Sequence, residues 1–167
     1  MAGFGLGKVS GLDYFEFKVD GLKEMGNILA QLPGKIARRA LNNAVAAGAR
    51  VIRDAARPQA PVGTRTYKDY RGKIHRPGLL RKSGVVSKKL KTKNWQTTSL
   101  YGVGFSKLGF YGRWIERGKS KKHQQTPRPF VVPTFEANVT RAVDAIKDRL
   151  GEEIVKITRE TPGLSVK

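Results

Sequence analysis

The chain has 167 residues, no cysteine, and 33 lysines and arginines against 13 acidic residues, which gives a net charge of +20. Disulfides, thiolate chemistry and cysteine zinc sites are excluded, and the charge favours contact with polyanions or acidic protein surfaces. No stretch approaches about 18 consecutive apolar residues, so we expect no membrane span. The N-terminus lacks the features of a signal peptide, and we expect a protein made and used in a cytoplasm.

The first part of the chain predicts an arm, a strand and two helices. Four glycines within residues 1–11 predict a flexible arm. Apolar and polar residues then alternate in YFEFKVDG (14–21), which is typical of a strand. Helical spacing predicts a short helix over 22–33 and a long one from 34 to the prolines at 58 and 61. Small residues make up most of the long helix's apolar stripe, so whatever packs against it could approach closely.

A basic loop and a hairpin follow the long helix. Residues 62–84 are polar, basic and rich in glycine, with a short apolar segment at Leu79 and Leu80. A loop of this length is usually functional or partly disordered. Two β-like segments, 85–92 and 94–107, are expected to pair as an antiparallel hairpin.

Two further helices complete the chain. YGRWIERG (111–118) predicts a short helix with Gly118 as its left-handed C-cap. A C-terminal amphipathic helix is predicted to start at Pro133 or Thr134 and to run to about residue 157.

The order of elements predicts an α+β fold. We expect an antiparallel sheet packed against the long helix and the C-terminal helix, with long basic loops. We also expect a flexible N-terminal arm at 1–11, a single domain over 12–157 and a frayed tail at 158–167.

No set of residues has the spacing of a catalytic or metal site. His75 and His123 lie in basic loops, and neither has a second ligand at suitable spacing. No nucleophile elbow or phosphate-binding glycine motif occurs. Most carboxylates lie within four residues of a lysine or arginine on predicted helices, which is typical of surface ion pairs. We therefore expect no enzyme activity, no catalytic residue, no metal and no cofactor.

Glu116 differs from the other carboxylates because it lies in an apolar helix between two arginines. We expect it to be a structural partner for a nearby arginine or for a backbone N–H group. The residues around it are expected to anchor the loop 119–126 at both ends and so present it to a neighbouring subunit. Trp114 and Ile115 are expected to anchor the short helix to the core. The predicted structural anchors are Trp114, Ile115, Glu116, Gly118, Pro129 and Phe130.

Two basic segments are candidates for contact with DNA or with a neighbouring subunit. In residues 64–76, lysines and arginines alternate with Tyr67 and Tyr70, a composition that suits phosphates and exposed bases. The alternative is a solvated loop, and no pattern for base-specific recognition is present. The candidate contacts are Arg65, Lys68, Arg71, Lys73 and Arg76 in this segment, and Arg117, Lys119, Lys121 and Lys122 in the second.

The order of several motifs resembles a known family. Between residues 12 and 157 the chain carries VDGLKEM, the long helix KIARRALNNAVAAGARVIRDAAR, PGLLRKS, YGRWIERG and TPRPFVVPTFEA. This order resembles the head–tail joining or tail-completion proteins of long-tailed phages, of the lambdoid "gene product ten" type. Two positions differ from the family pattern, since Pro77 and Lys119 both replace a threonine.

The resemblance implies a structural virion protein of the neck or upper tail, assembled in the host bacterial cytoplasm. It implies a ring around the DNA channel, a hexamer by analogy, and no catalysis. The implied partners are the connector or stopper, the tail terminator or the tail tube, together with sequence-independent contact with channel DNA. The alternative is a free basic nucleic-acid-binding protein of ribosomal or nucleoid type, which would hold nucleic acid at physiological salt.

Overall fold

Helices dominate the described part of the chain. The computed structural model describes residues 4–9, 12–17, 23–68, 72, 74–88, 99–118 and 126–160. Its helices are α1 (Lys23–Gln31), α2 (Gly34–Gln59), α3 (Leu79–Lys82), α4 (Gly112–Arg117) and α5 (Val131–Glu160), with a 3-10 helix at Lys107–Gly109. Its strands are β1 (Phe4–Val9), β2 (Leu12–Phe17), β3 (Tyr67–Lys68), β4 (Ile74–His75), β5 (Gly84–Lys88) and β6 (Tyr101–Phe105). The fold is α+β, which confirms the predicted class.

The strands pair two by two. β1 and β2 are antiparallel, with Phe4 opposite Phe17, and β5 pairs with β6. β1 occupies most of the segment 1–11, so residues 4–9 are a strand and not the flexible arm that the glycines predicted. Gly5 and Gly7 lie opposite Glu16 and Tyr14 in the ladder. The glycine count was misleading because a ladder is built from backbone groups, and alternate glycines leave the strand period of two intact.

The predicted basic loop contains secondary structure of its own. β3 and β4 form a short antiparallel pair in which Tyr67 lies opposite His75. Gly72 and Gly78 have φ angles of 80° and 81°, a left-handed conformation that glycine adopts without steric cost. Immediately after Gly78, α3 buries Leu80, which is only 2% exposed. The apolar pair predicted at 79–80 therefore fastens this segment to a core.

The chain divides into two compact units. The first contains Met1–Val51, Val86–Gly102 and Thr140–Lys167, and the second contains Ile52–Val85 and Val103–Val139. The sequence predicted one domain over 12–157. At 1.5 Å per residue, the 26 residues of α2 and the 30 residues of α5 span about 39 Å and about 45 Å. Helices of this length extend beyond a single small hydrophobic core, so each contributes residues to both units.

The core of the first unit is a close contact between α2 and α5. A Cβ atom on Gly48 would lie 2.6 Å from Ile146 Cγ1 and 2.8 Å from the carbonyl oxygen of Ala142. Ala40 and Ala44 on α2 are fully buried in the same cluster as Ile146. The predicted stripe of small residues is thus the face of α2 that allows α5 to approach.

The second unit packs β5 and β6 against the adjoining helical segments. Arg57 of α2 donates a hydrogen bond from Nη2 to the carbonyl oxygen of Gly84 in β5 at 3.0 Å. The ring of Phe105 in β6 lies 5.7 Å from that of Phe130, the residue immediately before α5. Gly112 of α4 fits over Leu80, since a Cβ atom there would lie 2.7 Å from Leu80 Cδ1.

The ends of the last two predicted segments differ from the structure. α5 starts at Val131, two to three residues before the predicted start, and it continues to Glu160, past the predicted boundary of the frayed tail at 158. The rest of that tail, residues 161–167, lies outside the described residues.

Candidate functional site

The side chain of Glu116 lies at the first turn of α5. Its Oε2 accepts the backbone N–H groups of Phe130 at 2.9 Å and Val131 at 3.1 Å, and its Oε1 accepts that of Val132 at 3.0 Å. The first N–H groups of an α-helix have no partner within the helix. The next residue, Pro133, has no N–H group at all. Glu116 and Pro133 together therefore account for every backbone donor at the start of α5.

The charge of Glu116 also suits this position. A helix N-terminus carries a partial positive charge, which a carboxylate stabilises. Hydrogen bonds to an ionised acceptor are stronger than neutral ones. The sequence predicted an arginine or a backbone N–H group as the partner of Glu116, and the structure places it against three backbone N–H groups.

Two backbone hydrogen bonds fix the chain on either side of residues 119–125. Gly118 ends α4 with φ 69° and ψ 8°, and its N–H donates to the carbonyl oxygen of Trp114 at 2.7 Å. The N–H of Arg128 donates to the carbonyl oxygen of Ile115 at 2.8 Å. Glu116 also binds the backbone N–H groups of residues 130–132. The chain is therefore attached to α4 both before and after residues 119–125. Residues 119–125 themselves lie outside the described residues.

The predicted anchors separate into buried and exposed residues. Phe130 is buried and Gly118 is buried, whereas Pro129 is exposed. Trp114 is 39% exposed, so the prediction that it holds α4 to the core is corrected. Gly112 is the residue of α4 that faces Leu80. Successive helix residues are turned by 100°, so Trp114, two positions later, points away from that face.

Trp114 instead contributes to an exposed aromatic surface, which we define as Phe110 and Trp114. Phe110 is 60% exposed, and Leu108, two residues earlier in the chain, is 45% exposed. The rings of Phe110 and Trp114 meet edge to face with centroids 5.2 Å apart. Lys107, Arg113 and Arg117 add positive charge to the same stretch, and its one carboxylate is the Glu116 that holds α5. This stretch of the chain therefore combines exposed apolar side chains with three cationic residues.

The predicted basic contacts are only partly within the described chain. Arg65, Lys68, Arg76 and Arg117 are exposed, and all four belong to the second unit. The side chain of His75 is half-buried. The remaining predicted contacts, which lie outside the described residues, are Arg71, Lys73, Lys119, Lys121 and Lys122.

Sequence reasoning missed a second basic surface. In the first unit, α2 and α5 border an open groove of about 530 Å³, whose walls include Lys35, Arg39, Arg149 and Lys156. The sequence carried one signal for it, since Lys35 and Arg39 are four residues apart and therefore neighbours on a helix. The sequence of either helix alone does not show that the cations of α2 lie across a groove from those of α5.

Within the described residues, no three histidines, aspartates or glutamates are close enough to hold a metal ion. The helices of the described chain also include none that is long and apolar enough to cross a bilayer.

No model of a protein family matches the chain, and no curated protein or solved structure is significantly similar to it. Its function is therefore inferred from its own residues, their order and their geometry.

Proposed function

We propose that this protein is a structural subunit of the neck or upper tail of a long-tailed phage. It assembles as a ring around the DNA channel and joins or completes the tail, and it has no catalytic role. The observation that carries the proposal is the attachment of both ends of residues 119–125 to α4, through Ile115, Glu116 and Gly118. A segment held in this way can be offered to a neighbouring subunit without unfolding the rest of the unit.

The aromatic surface supports the same role. Tryptophan and other aromatic residues are enriched among the side chains that dominate protein–protein binding. Trp114 and Phe110 are exposed, touch each other and lie on the segment directly before residues 119–125. A neighbouring subunit that covered them would bury apolar area at about 25 cal/mol per Å².

The three cationic residues on the same stretch favour a head-to-tail contact over a face-to-face one. If two copies met through the same surface, Lys107, Arg113 and Arg117 would each face like charges. In a ring, one surface of a subunit meets a different surface of the next, which avoids this repulsion. The net charge of +20 further suits a position beside DNA or an acidic ring.

The alternative, a free nucleic-acid-binding protein, is favoured by the net charge and by the basic groove of the first unit. The two functions differ in what they require of the aromatic surface. A ring subunit needs it for assembly, whereas binding to a nucleic-acid duplex in solution does not.

The test compares assembly of the unaltered protein with that of the double variant Phe110→Ala, Trp114→Ala. Negative-stain microscopy and sedimentation would follow each protein alone and mixed with phage heads and tails. The control is Val155→Ala, which removes an exposed apolar side chain (51% exposed) from the first unit. We expect the double variant to fold but to fail in ring or particle assembly, while the control assembles. A protein that ignores both particles and holds RNA tightly at about 150 mM salt would overturn the proposal.

A further inference from the structure

The groove of the first unit has cationic walls on both sides. Lys35 and Arg39 stand on α2, and Arg149 and Lys156 stand on α5. All four residues are exposed. Cations from both walls can therefore contact one ligand in the groove from opposite sides.

The cations of α5 already have carboxylate partners. Arg149 donates to Glu152 at 2.7 Å and to Glu153 at 2.8 Å. The hydrogen bond to Glu152, followed by the charge of Glu153, raises the pKa of Arg149 above its ordinary value. Lys156 lies 3.8 Å from Glu160 in a looser, exposed pair. The guanidinium of Arg149 is thus already hydrogen-bonded within the protein, whereas Lys156 has only a long ion pair and remains able to bind a ligand.

The two groove cations of α2 differ from those of α5 in the part of the chain that the structure describes. Within the described chain, neither Lys35 nor Arg39 makes an ion pair. They are one turn apart, and like charges at this spacing destabilise a helix by a few tenths of a kcal/mol. They also stand in the first turns of α2, where there is no acidic residue and where the helix dipole disfavours positive charge. An anion in the groove would relieve both effects.

The floor of the groove offers little to an apolar ligand. Ala40 is fully buried and Ile157 is only 8% exposed, so an inserted side chain would gain little area. Glu153, 9% exposed, accepts hydrogen bonds at Oε1 from Asn43 at 2.9 Å and from Arg149 at 2.8 Å. The accessible groups are therefore the charged ends of lysine and arginine, which favours an anion over an amphipathic peptide.

The residues that line the groove include no aromatic side chain. Proteins that grip single strands stack bases on aromatic rings, whereas duplex backbones are held through phosphates alone. The chemistry of this groove matches the second case.

We propose that the groove binds the phosphate backbone of double-stranded nucleic acid without reading its sequence, with Lys35 and Arg39 as the main contacts and Lys156 as an additional one. This site deepens the proposed function. It rests on that function only for the identity of the nucleic acid, which would be the DNA of the channel. It differs from the basic segments 64–76 and 117–122, which belong to other parts of the chain.

The test measures binding of the full-length protein to a fluorescent 20-base-pair duplex by anisotropy over a series of salt concentrations. Lys35→Gln with Arg39→Gln removes the two groove cations of α2. Arg50→Gln with Lys147→Gln removes the same total charge outside the groove, one cation from α2 and one from α5. Circular dichroism checks that both variants fold.

We expect the groove variant to reduce the slope of log affinity against log salt by about 2, since each phosphate contact contributes about 0.9. Its affinity at low salt should fall about tenfold or more, and the control should lose much less. Equal losses in the two variants would show that only net charge matters and would overturn the site.

Two further probes identify the ligand. Polyglutamate represents an acidic protein, and loss of polyglutamate binding in the groove variant with unchanged duplex binding would overturn the proposal. Inorganic phosphate represents a free anion. If phosphate displaces the duplex no better than chloride at equal ionic strength, the result supports the nucleic-acid backbone as the ligand. If phosphate binds the groove and the duplex does not, the proposal fails.

These measurements use free protein and no phage particles. Failure of the unaltered protein to assemble with phage particles, while its groove-dependent duplex binding is intact, would therefore contradict the proposed function alone. Absence of groove-dependent binding in a protein that does assemble would contradict the groove alone.

Discussion

Glu116 accepts the backbone N–H of Val132 at 3.0 Å, so a side chain of α4 caps the first turn of α5. The same carboxylate accepts two further N–H groups from the preceding residues. The start of the longest helix therefore depends on a residue that precedes it by 14 to 16 positions.

Replacing Glu116 with alanine should destabilise the second unit. The change leaves three backbone donors without their acceptor and removes a negative charge from the helix N-terminus. We expect a loss of about 2–4 kcal/mol in the free energy of unfolding, measured by urea denaturation. Glu116→Gln should lose less, because one amide oxygen can still accept.

The matched control is Glu136→Ala, which removes an exposed carboxylate from the first turns of α5. It should change stability by no more than about 0.5 kcal/mol. If Glu116→Ala were as mild as this control, the cap would have no energetic importance and the attachment of residues 119–125 would need another explanation.

Replacing Gly48 with alanine should destabilise the first unit through overpacking. The new Cβ atom would meet Ile146 Cγ1 at 2.6 Å and the carbonyl oxygen of Ala142 at 2.8 Å. We expect a loss of about 1–3 kcal/mol in thermal or chemical denaturation. Adding Ile146→Val removes only Cδ1, which would lie 2.8 Å from the new Cβ atom. It should recover little of this loss, because Cγ1 and the backbone oxygen of Ala142 remain in place.

Gly151 provides the control for Gly48. It lies in α5, and a Cβ atom there would meet nothing within 4 Å. Gly151→Ala should stabilise the protein by about 0.4–1 kcal/mol, because alanine restricts the unfolded chain and favours helix. A destabilised Gly151→Ala, or an unaffected Gly48→Ala, would contradict the described packing of α2 on α5.

Trp114 and Phe130 should respond differently to truncation. Phe130 is 7% exposed and packs on Phe105, so Phe130→Ala should cost about 3–5 kcal/mol of stability. Trp114 is 39% exposed and contacts the still more exposed Phe110, so Trp114→Ala should cost much less. Denaturation of the two variants under the same conditions measures the difference. Equal losses would place Trp114 in the core and remove the aromatic surface.

Long periodic segments were the most predictable part of this chain. The spacing of apolar residues predicted α1 and α2, and the small residues of α2 predicted close packing on that face, which the contact between Gly48 and Ile146 provides. Such features are predictable because a helix repeats the same face many times, so the pattern outweighs any single residue.

The start of α5 was not predictable in the same way. Local rules look for a capping side chain at the helix end, whereas the cap here comes from Glu116 on another helix. The exposed position of Trp114 was missed because α4 has only six residues, too few for periodicity to identify the buried face. The groove was missed because its two walls are on helices far apart in sequence.

In the proposed function, residues 119–125 are held at both ends so that they can join neighbouring subunits. The most direct measurement replaces Lys119–Gln125 by a glycine–serine segment of equal length, which keeps Glu116, Gly118 and Arg128 in place. Negative-stain microscopy and sedimentation would then compare the variant with the unaltered protein, each mixed with phage heads and tails. We predict a folded variant with unchanged thermal stability that no longer forms rings or joins particles. Normal assembly of this variant would contradict the claim.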